Sequence, residues 1–306
     1  MFTPILACCQ QPFTLIIFPM TDVLNPLREQ IDAIDEQLIS LIKQRISVVE
    51  QVGKFKKATA PNLCPVRAGR EASMIRNIAE SFKGSSFSAA TAAAIWRLII
   101  GASTHAESKL VISVLYNEKE HDYFWMAREY FGPSVTIIKQ PNVKRIISDV
   151  LEGKSTIGLL PNFLANDGEE WWASLVQASA DSPKIFAHLP FVFTDEAAKR
   201  MPTALAIAKL VPESSGEDTS FYVLHTPHDV SRNRLQSSFA AANLTAQWHG
   251  VLTPHPDSRL HLIEIKGFIE PSHEQFKQFT DSLGSSLLQV TFLGAHAIPF
   301  TLASEK

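Results

Sequence analysis

The sequence predicts a multidomain protein: an all-α region of three helices, then an α/β region, then an α+β region in βαββαβ order. Three observations carry this expectation. At 306 residues the chain exceeds what one hydrophobic core usually organises. From Asn25 onward apolar residues recur at three-and-four spacing with charged residues between them. At Lys109 the pattern changes to short β-branched runs that alternate with helical ones.

The first region covers residues 21–108. Leu27, Ile31, Ile34, Leu38, Leu41, Ile42, Val48, Val49, Val52 and Phe55 mark one long helix from Asn25 to about Lys57. At 1.5 Å per residue, about 32 residues span roughly 48 Å, more than the width of a small domain. Such a helix needs a partner along much of its length, and a second copy of the chain supplies one, so an intertwined homodimer is expected. The Ala58-Thr59-Ala60-Pro61-Asn62 stretch ends the helix at a proline. A second helix runs from about Arg70 to Phe82, the Lys83-Gly84-Ser85-Ser86 turn follows, and a third, alanine-rich helix runs from Ser88 to about Ser108.

In the second region, residues 109–212, strands at Leu110 to Tyr116, Val135 to Ile138 and Thr156 to Leu160 alternate with helices at Asp122 to Phe131 and Val143 to Leu151. That alternation implies a parallel sheet. The polar run Glu213 to Asp218 is a linker. The third region, residues 217–306, reads strand (Ser220 to Leu224), helix (Val230 to Ala242), strand (Ala246 to Leu252), strand (Leu260 to Gly267), helix (Ser272 to Leu283), strand (Leu287 to Leu293), the split βαββαβ order. Residues 1–20 are apolar but lack a basic n-region, so they read as a disordered or non-native extension rather than an export signal.

Composition narrows the function. Hydrophobic residues make up 45% and charged residues 19%, with a net charge of −3 and no long basic or acidic run. This argues against nucleic acid or an anionic membrane as a partner. No stretch approaches the roughly 20 apolar residues of a membrane span. Cys8, Cys9 and Cys64 form neither a disulfide framework nor a metal-ligand set, which fits a cytoplasmic protein. His225, His228, His249, His255 and His261 have no carboxylate at ligand spacing, so no metal is expected. Trp171-Trp172 reads as packing.

The chemistry-bearing residues lie in the first region. Arg45 and Lys56 are eleven residues apart, about three turns, and project from nearly one face about 16 Å apart, where they can hold a small dianion. Arg28 stands seventeen residues before Arg45, roughly 25 Å along the axis and rotated by about 100°. It reaches the same pocket only from an antiparallel partner helix. Spacing alone leaves open a solvated cationic face, which Asp32 at i+4 explains for Arg28 better than Val49 does for Arg45.

Taken together, Leu27-Arg28-x-x-Ile31-Asp32-x-x-Asp35-x-x-Leu38, Arg45, Val52-Gly53-Lys54-x-Lys56, Pro65-Val66-Arg67, Arg70-Glu71 and Ile99-Ile100-x-x-Ser103 resemble the helical chorismate mutases over about residues 24–108. The resemblance implies chorismate as substrate and no cofactor. It implies Arg28 as the arginine donated across the dimer, Arg45 and Arg70 as arginines of the pocket, and Lys56 beside the ether oxygen. By the same resemblance Glu71 accepts from the ring hydroxyl and Ser103 sits near a substrate carboxylate. Such a site needs no nucleophile, because the pericyclic rearrangement to prephenate requires only that the reactive conformer be held and the charge growing on the ether oxygen be stabilised. Two departures stand out. Ala68 or Gly69 occupies the place of an aspartate, and Glu107 that of a glutamine that donates to the ether oxygen, so mutase activity is expected to fall as the Glu107 proton is lost at rising pH.

Further on, Val114-Leu115-Tyr116, Tyr130-Phe131-Gly132 and Ile157-Gly158-Leu159-Leu160-Pro161 resemble the dehydratase part of bifunctional chorismate mutase/prephenate dehydratases, and Asp218-Thr219-Ser220 with Phe292-Leu293-Gly294 resembles the borders of an ACT domain. The functional motifs are replaced. Pro161-Asn162-Phe163-Leu164-Ala165, Thr203-Ala204-Leu205 and Asn117-Glu118-Lys119-Glu120 stand where the dehydratase motifs belong, and Ser231 to Leu235 and His249 to Leu252 stand where the effector motifs do. A reduced dehydratase-like domain without dehydratase activity and an ACT-like domain retained for dimerisation or core burial are therefore expected, with Phe163 filling the old pocket. Competing readings are an isochorismate pyruvate lyase and a non-catalytic sensor of an aromatic metabolite or a partner-binding pseudoenzyme.

Overall fold

The computed structural model describes residues 20–59, 64–116, 122–163, 170–176, 182–194 and 202–302. The N-terminal extension before Met20, the Ala60-Pro61-Asn62 part of the first loop, the Asn117 to Glu120 loop and Leu164-Ala165 lie outside these residues. The chain divides into two compact units, Met1–Val48 and Val49–Lys306.

The first unit holds most of helix α1 (Met20–Thr59). The helix begins five residues before the expected Asn25 and carries Pro26 in its second turn, where the missing N–H removes one intrahelical bond. Leu24, Leu27, Ile31, Ile34, Leu38, Leu41 and Val48 are all exposed large apolar side chains. With Arg45 between the last two, they follow an unbroken three-four heptad alternation, the pattern of a coiled-coil seam.

The second unit begins with the last turns of α1 and continues with α2 (Ala68–Ser81) and α3 (Ala89–Glu107), whose first turn is capped by the Ser88 hydroxyl. Then come β1 (Val111–Leu115), α4 (Asp122–Phe131), β2 (Thr136–Gln140), α5 (Val143–Leu151, capped by Asn142) and β3 (Ile157–Pro161), matching the expected alternation. The sequence pattern assigns nothing between Pro161 and Pro212, yet the structure has α6 (Ala173–Val176), β4 (Lys184–Leu189), β5 (Val192–Phe193) and β6 (Ala204–Ala208) there. The split motif follows as β7 (Asp218–Pro227), α7 (Arg232–Ala241), β8 (Ala246–His255), β9 (Ser258–Lys266), α8 (Glu274–Leu283) and β10 (Gln289–Ala297). A short β11 (Phe300–Thr301) pairs with β5.

All the longer strands form one nine-stranded sheet, ordered β2-β1-β3-β6-β4-β10-β7-β9-β8. The expected parallel pairing holds for β2, β1 and β3. It ends at β6, which runs antiparallel to both β3 and β4. Strands β10, β7, β9 and β8 pair antiparallel throughout.

Alternation along the strands divides the core. Ala204, Ala206 and Ala208 face one side, with Ile75, Ile100 and Phe131 from α2, α3 and α4. Leu205 and Ile207 face the other, with Ile146 and Val150 of α5 and the buried pair Trp171 and Trp172. Helices α7 and α8 cover Tyr222 and Leu224 through Phe239, Phe276 and Phe279. Helices α2 and α3 therefore share a core with the sheet rather than forming a bundle of their own.

Glycines set the closest approaches. A Cβ on Gly101 of α3 would lie 2.6 Å from the Phe131 carbonyl oxygen of α4. On Gly294 it would lie 2.1 Å from the Ile185 oxygen, at the parallel pairing that joins the split motif to the rest of the sheet, and φ there is +132°. Gly294→Ala is expected to cost at least about 3 kcal/mol in urea unfolding, because backbone on both strands must move. Gly84→Ala, at φ +74° in open space, is expected to cost only about 1 kcal/mol.

Candidate active site

The final turns of α1 meet the end of α3 at Gly53, where a Cβ would lie 2.9 Å from Glu107 Cγ and 3.0 Å from the Glu107 carbonyl oxygen. This approach brings Lys56 Nζ to 2.7 Å from Glu107 Oε1. The ammonium also donates to the Pro65 carbonyl oxygen at 3.3 Å. Glu107 is largely buried, and among the described residues Oε1 has no aligned hydrogen-bond donor, its close polar neighbour being the Lys56 charge. The Lys56 ammonium thus holds the Glu107 carboxylate.

Ser103 lies one turn before Glu107 on α3, buried, with its hydroxyl donating to the Ile99 carbonyl oxygen at 2.6 Å. Cys64 precedes α2 in the same neighbourhood. Burial pushes its thiol up to about 12, Glu71 and Glu107 add to the rise, and Lys56 and a backbone hydrogen bond oppose it. The thiol is therefore protonated and a poor nucleophile at neutral pH.

Glu71 is buried on α2 and engaged from two sides. Its Oε1 accepts from the Arg67 backbone N–H at 3.3 Å, and its Oε2 takes Arg97 Nη2 at 2.6 Å. Burial disfavours the Arg97 charge, but Glu71 and Tyr130 hold the guanidinium above its ordinary value. The guanidinium carbon lies 4.3 Å from the Tyr130 ring centroid. Sequence reasoning missed Arg97, since its partner is 26 residues away and no local spacing announces the pair. Arg70 is exposed on α2, and its neighbour Arg67 pairs with Glu213 at 2.9 Å. Arg28, exposed, and Arg45, half-buried, lie in the Met1–Val48 unit. The structure thus joins Lys56 with Glu107 and places Ser103 beside them on α3, while Glu71 is occupied by Arg97.

At the ends of β3 and β6, Asn162 Nδ2 donates to Thr203 Oγ1 at 3.0 Å and lies 3.2 Å from His188 Nε2. Burial, and then the adjacent His296, lower the His188 ring to about 4, so it is neutral. Phe163 stacks on Trp171, with ring centroids 4.9 Å apart, and also packs against Phe221 and His249. His249 does have a carboxylate partner, contrary to the sequence expectation: Glu264 of the adjacent strand β9 bonds its Nε2. Strand pairing with a bulge at Trp248/Gly250 creates that contact, which sequence spacing cannot reveal. Among the described residues no cluster able to hold a metal ion occurs, and no helix is long and apolar enough to cross a membrane.

Residues 27–108 match the family model of chorismate mutase type II. No curated protein matches the chain. Solved structures similar to it include GqqA, described as a novel type of quorum quenching acylase (14% identity, 61% of this chain and 94% of that one, TM-score 0.47). Prephenate dehydratase from Streptococcus mutans is similar at 14% identity over 63% of this chain and 100% of that one, TM-score 0.47. Prephenate dehydratase from Arthrobacter aurescens in complex with L-Phe is similar at 11% identity over 61% of this chain and 90% of that one, TM-score 0.47.

The buried pair generates a stability test. Arg97→Leu leaves the Glu71 carboxylate buried without its cation and is expected to cost about 3 to 5 kcal/mol in urea unfolding. Glu71→Leu with Arg97→Leu removes both charges and is expected to recover at least half of that loss. A double variant no more stable than the single one refutes the pairing as the source of the cost.

Proposed function

We propose that the helical segment catalyses the rearrangement of chorismate to prephenate. The observation that carries this reading is the match of residues 27–108 to the type II chorismate mutases together with the approach of Lys56 to the end of α3. The proposed substrate-binding residues are Arg28, Arg45, Lys56, Arg70, Glu71 and Ser103, with Lys56, Arg45 and Glu107 acting on the reacting atoms. Cations bind the two carboxylates and hold the folded conformer, and Lys56 stabilises the charge that develops on the ether oxygen as the C–O bond breaks. Nothing in this chemistry calls for a cofactor.

The homodimer is part of the proposal, with Arg28 contributed by the second copy. It is supported by the exposed seam of α1, since apolar residues at heptad spacing are stable in water only when a partner helix covers them. Arg45 occupies the one charged position within that seam, so covering the seam would place its guanidinium in a partly dry environment where it binds an anion more strongly than on an open surface. The C-terminal regions are proposed to be non-catalytic, a reading supported by the residues that replace the dehydratase motifs at Pro161 to Ala165 and Thr203 to Leu205. Within this reading, residues 109–212 are the dehydratase-like region and 217–306 the ACT-like region, and the protein is cytoplasmic.

Lys56→Ala and Arg45→Ala should each lower kcat/KM for chorismate at least about thirtyfold, the equivalent of about 2 kcal/mol, with the circular dichroism spectrum unchanged. Co-refolded Arg28→Ala and Arg45→Ala chains should regain activity that neither has alone, because one pocket of each heterodimer keeps both arginines. Demonstrated heterodimers without recovered activity refute the exchange across the interface.

Glu107 has a separate signature. A carboxylate beside the ether oxygen opposes the growing charge, whereas an amide donates to it, so Glu107→Gln should raise kcat/KM at neutral pH. Equal kcat/KM for the two proteins places Glu107 outside the reacting site.

A further inference from the structure

The polar run Glu213 to Asp218 is a folded turn rather than a loose linker. The Asp218 carboxylate, buried at the start of β7, accepts from the Ser215 and Gly216 backbone N–H groups and from the Ser214 and Ser215 hydroxyls at 2.6 to 3.1 Å. Gly216 turns the chain at φ +94°, a conformation that favours glycine. A carboxylate that accepts this many charge-assisted bonds holds the turn in one conformation.

Helix α2 lies along this turn with one face, on which Gly69, Ser73 and Arg76 recur at i, i+4 and i+7. A Cβ on Gly69 would lie 2.4 Å from the Glu213 carbonyl oxygen and 2.6 Å from that of Ser214, so glycine lets the two backbones meet. Ser73 Oγ donates to the Ser215 carbonyl oxygen at 3.0 Å. Arg76 Nη1 donates to the Ser215 hydroxyl at 3.0 Å, and its Nη2 to the carbonyl oxygens of Glu217 and Ile298 at 3.0 and 2.9 Å. Ahead of the helix, Arg67 pairs with Glu213. Arg70 and Glu71, proposed above to bind chorismate, stand between Gly69 and Ser73 and are carried by the same backbone. We infer that the Glu213–Asp218 turn is a positioning element of the mutase site: through Gly69, Ser73 and Arg76 it sets the place of the first turns of α2, and with them Arg70 and Glu71. The inference rests on the mutase reading of the helical segment, and Gly69 and Arg76 act through Arg70 and Glu71 rather than on the substrate.

The test combines chorismate kinetics with amide hydrogen exchange on the full chain. Misplaced binding groups weaken ground state and transition state alike, so Gly69→Ala and Arg76→Ala should each raise KM at least about fivefold with kcat within about twofold of wild type. A change that only loosens the fold lowers the folded fraction, and hence kcat, and leaves KM where it was. Arg76→Lys, which keeps a charged donor for the carbonyl oxygens, should recover at least half of the rise in KM. If Gly69→Ala does not fold, the two Arg76 variants carry the reading. Exchange over residues 71–76 should quicken at least about tenfold in the alanine variants and stay at the wild-type rate over residues 92–100 of α3. A wild-type chain that does not turn over chorismate refutes the mutase reading, and exchange over α2 then decides the role of the turn by itself. Unchanged KM in the folded variants of an active enzyme, a fall in kcat alone, or unaltered exchange over α2 overturns the inference.

Discussion

The buried ion pair between Glu71 and Arg97 fixes how the helices of this protein are used. Two charges that are about nine-tenths buried must meet, because either one alone in that environment is strongly disfavoured. Their meeting sets the rotation of α2 against α3. With Arg97 turned toward Glu71 and the Tyr130 ring, Ser103 and Glu107 occupy other positions around α3, and Glu107 reaches Lys56 at the end of α1. The Lys56–Glu107 contact is compatible with that one helix orientation.

A second constraint is steric. Gly101 lets α3 lie against the end of α4, Gly53 lets the last turns of α1 lie against Glu107, and Gly294 lets β10 pair with β4. Arg76 reinforces the same union by donating to the carbonyl oxygens of Glu217 and Ile298, on the linker side of the sheet. Helices α2 and α3 and the sheet are in this way one packed body from Val49 onward, whereas the seam residues of α1 are exposed. A segment that buries little of its own apolar surface gains stability chiefly through association, and this ties the proposed activity to the proposed dimer.

Much of the architecture was legible because it is written in local periodicity. The heptad run of α1, the β-branched Val111–Leu115 strand, the strongly amphipathic α5 and the βαββαβ order after Asp218 all fall close to their expected places. Strands β4 and β6 escaped because they are buried on both faces and carry no alternation of polar with apolar residues: Ala204 to Ala208 reads as well as a helix segment as it does a strand. Their antiparallel insertion also changed the expected parallel sheet into a mixed one.

The candidate site divides along the same line. The sequence by itself determined which ionisable residues are present, the long helix that carries Arg28, Arg45 and Lys56, and the departure at Glu107, since each is a matter of residue type and near-neighbour spacing. Only the tertiary structure decided that Lys56 meets Glu107, that Glu71 is taken by Arg97 and that His249 finds Glu264. Those partners lie 15 to 51 positions apart in the chain, and what brings them together is the burial of apolar faces and the close approach of backbone at glycine, neither of which leaves a spacing that the sequence displays.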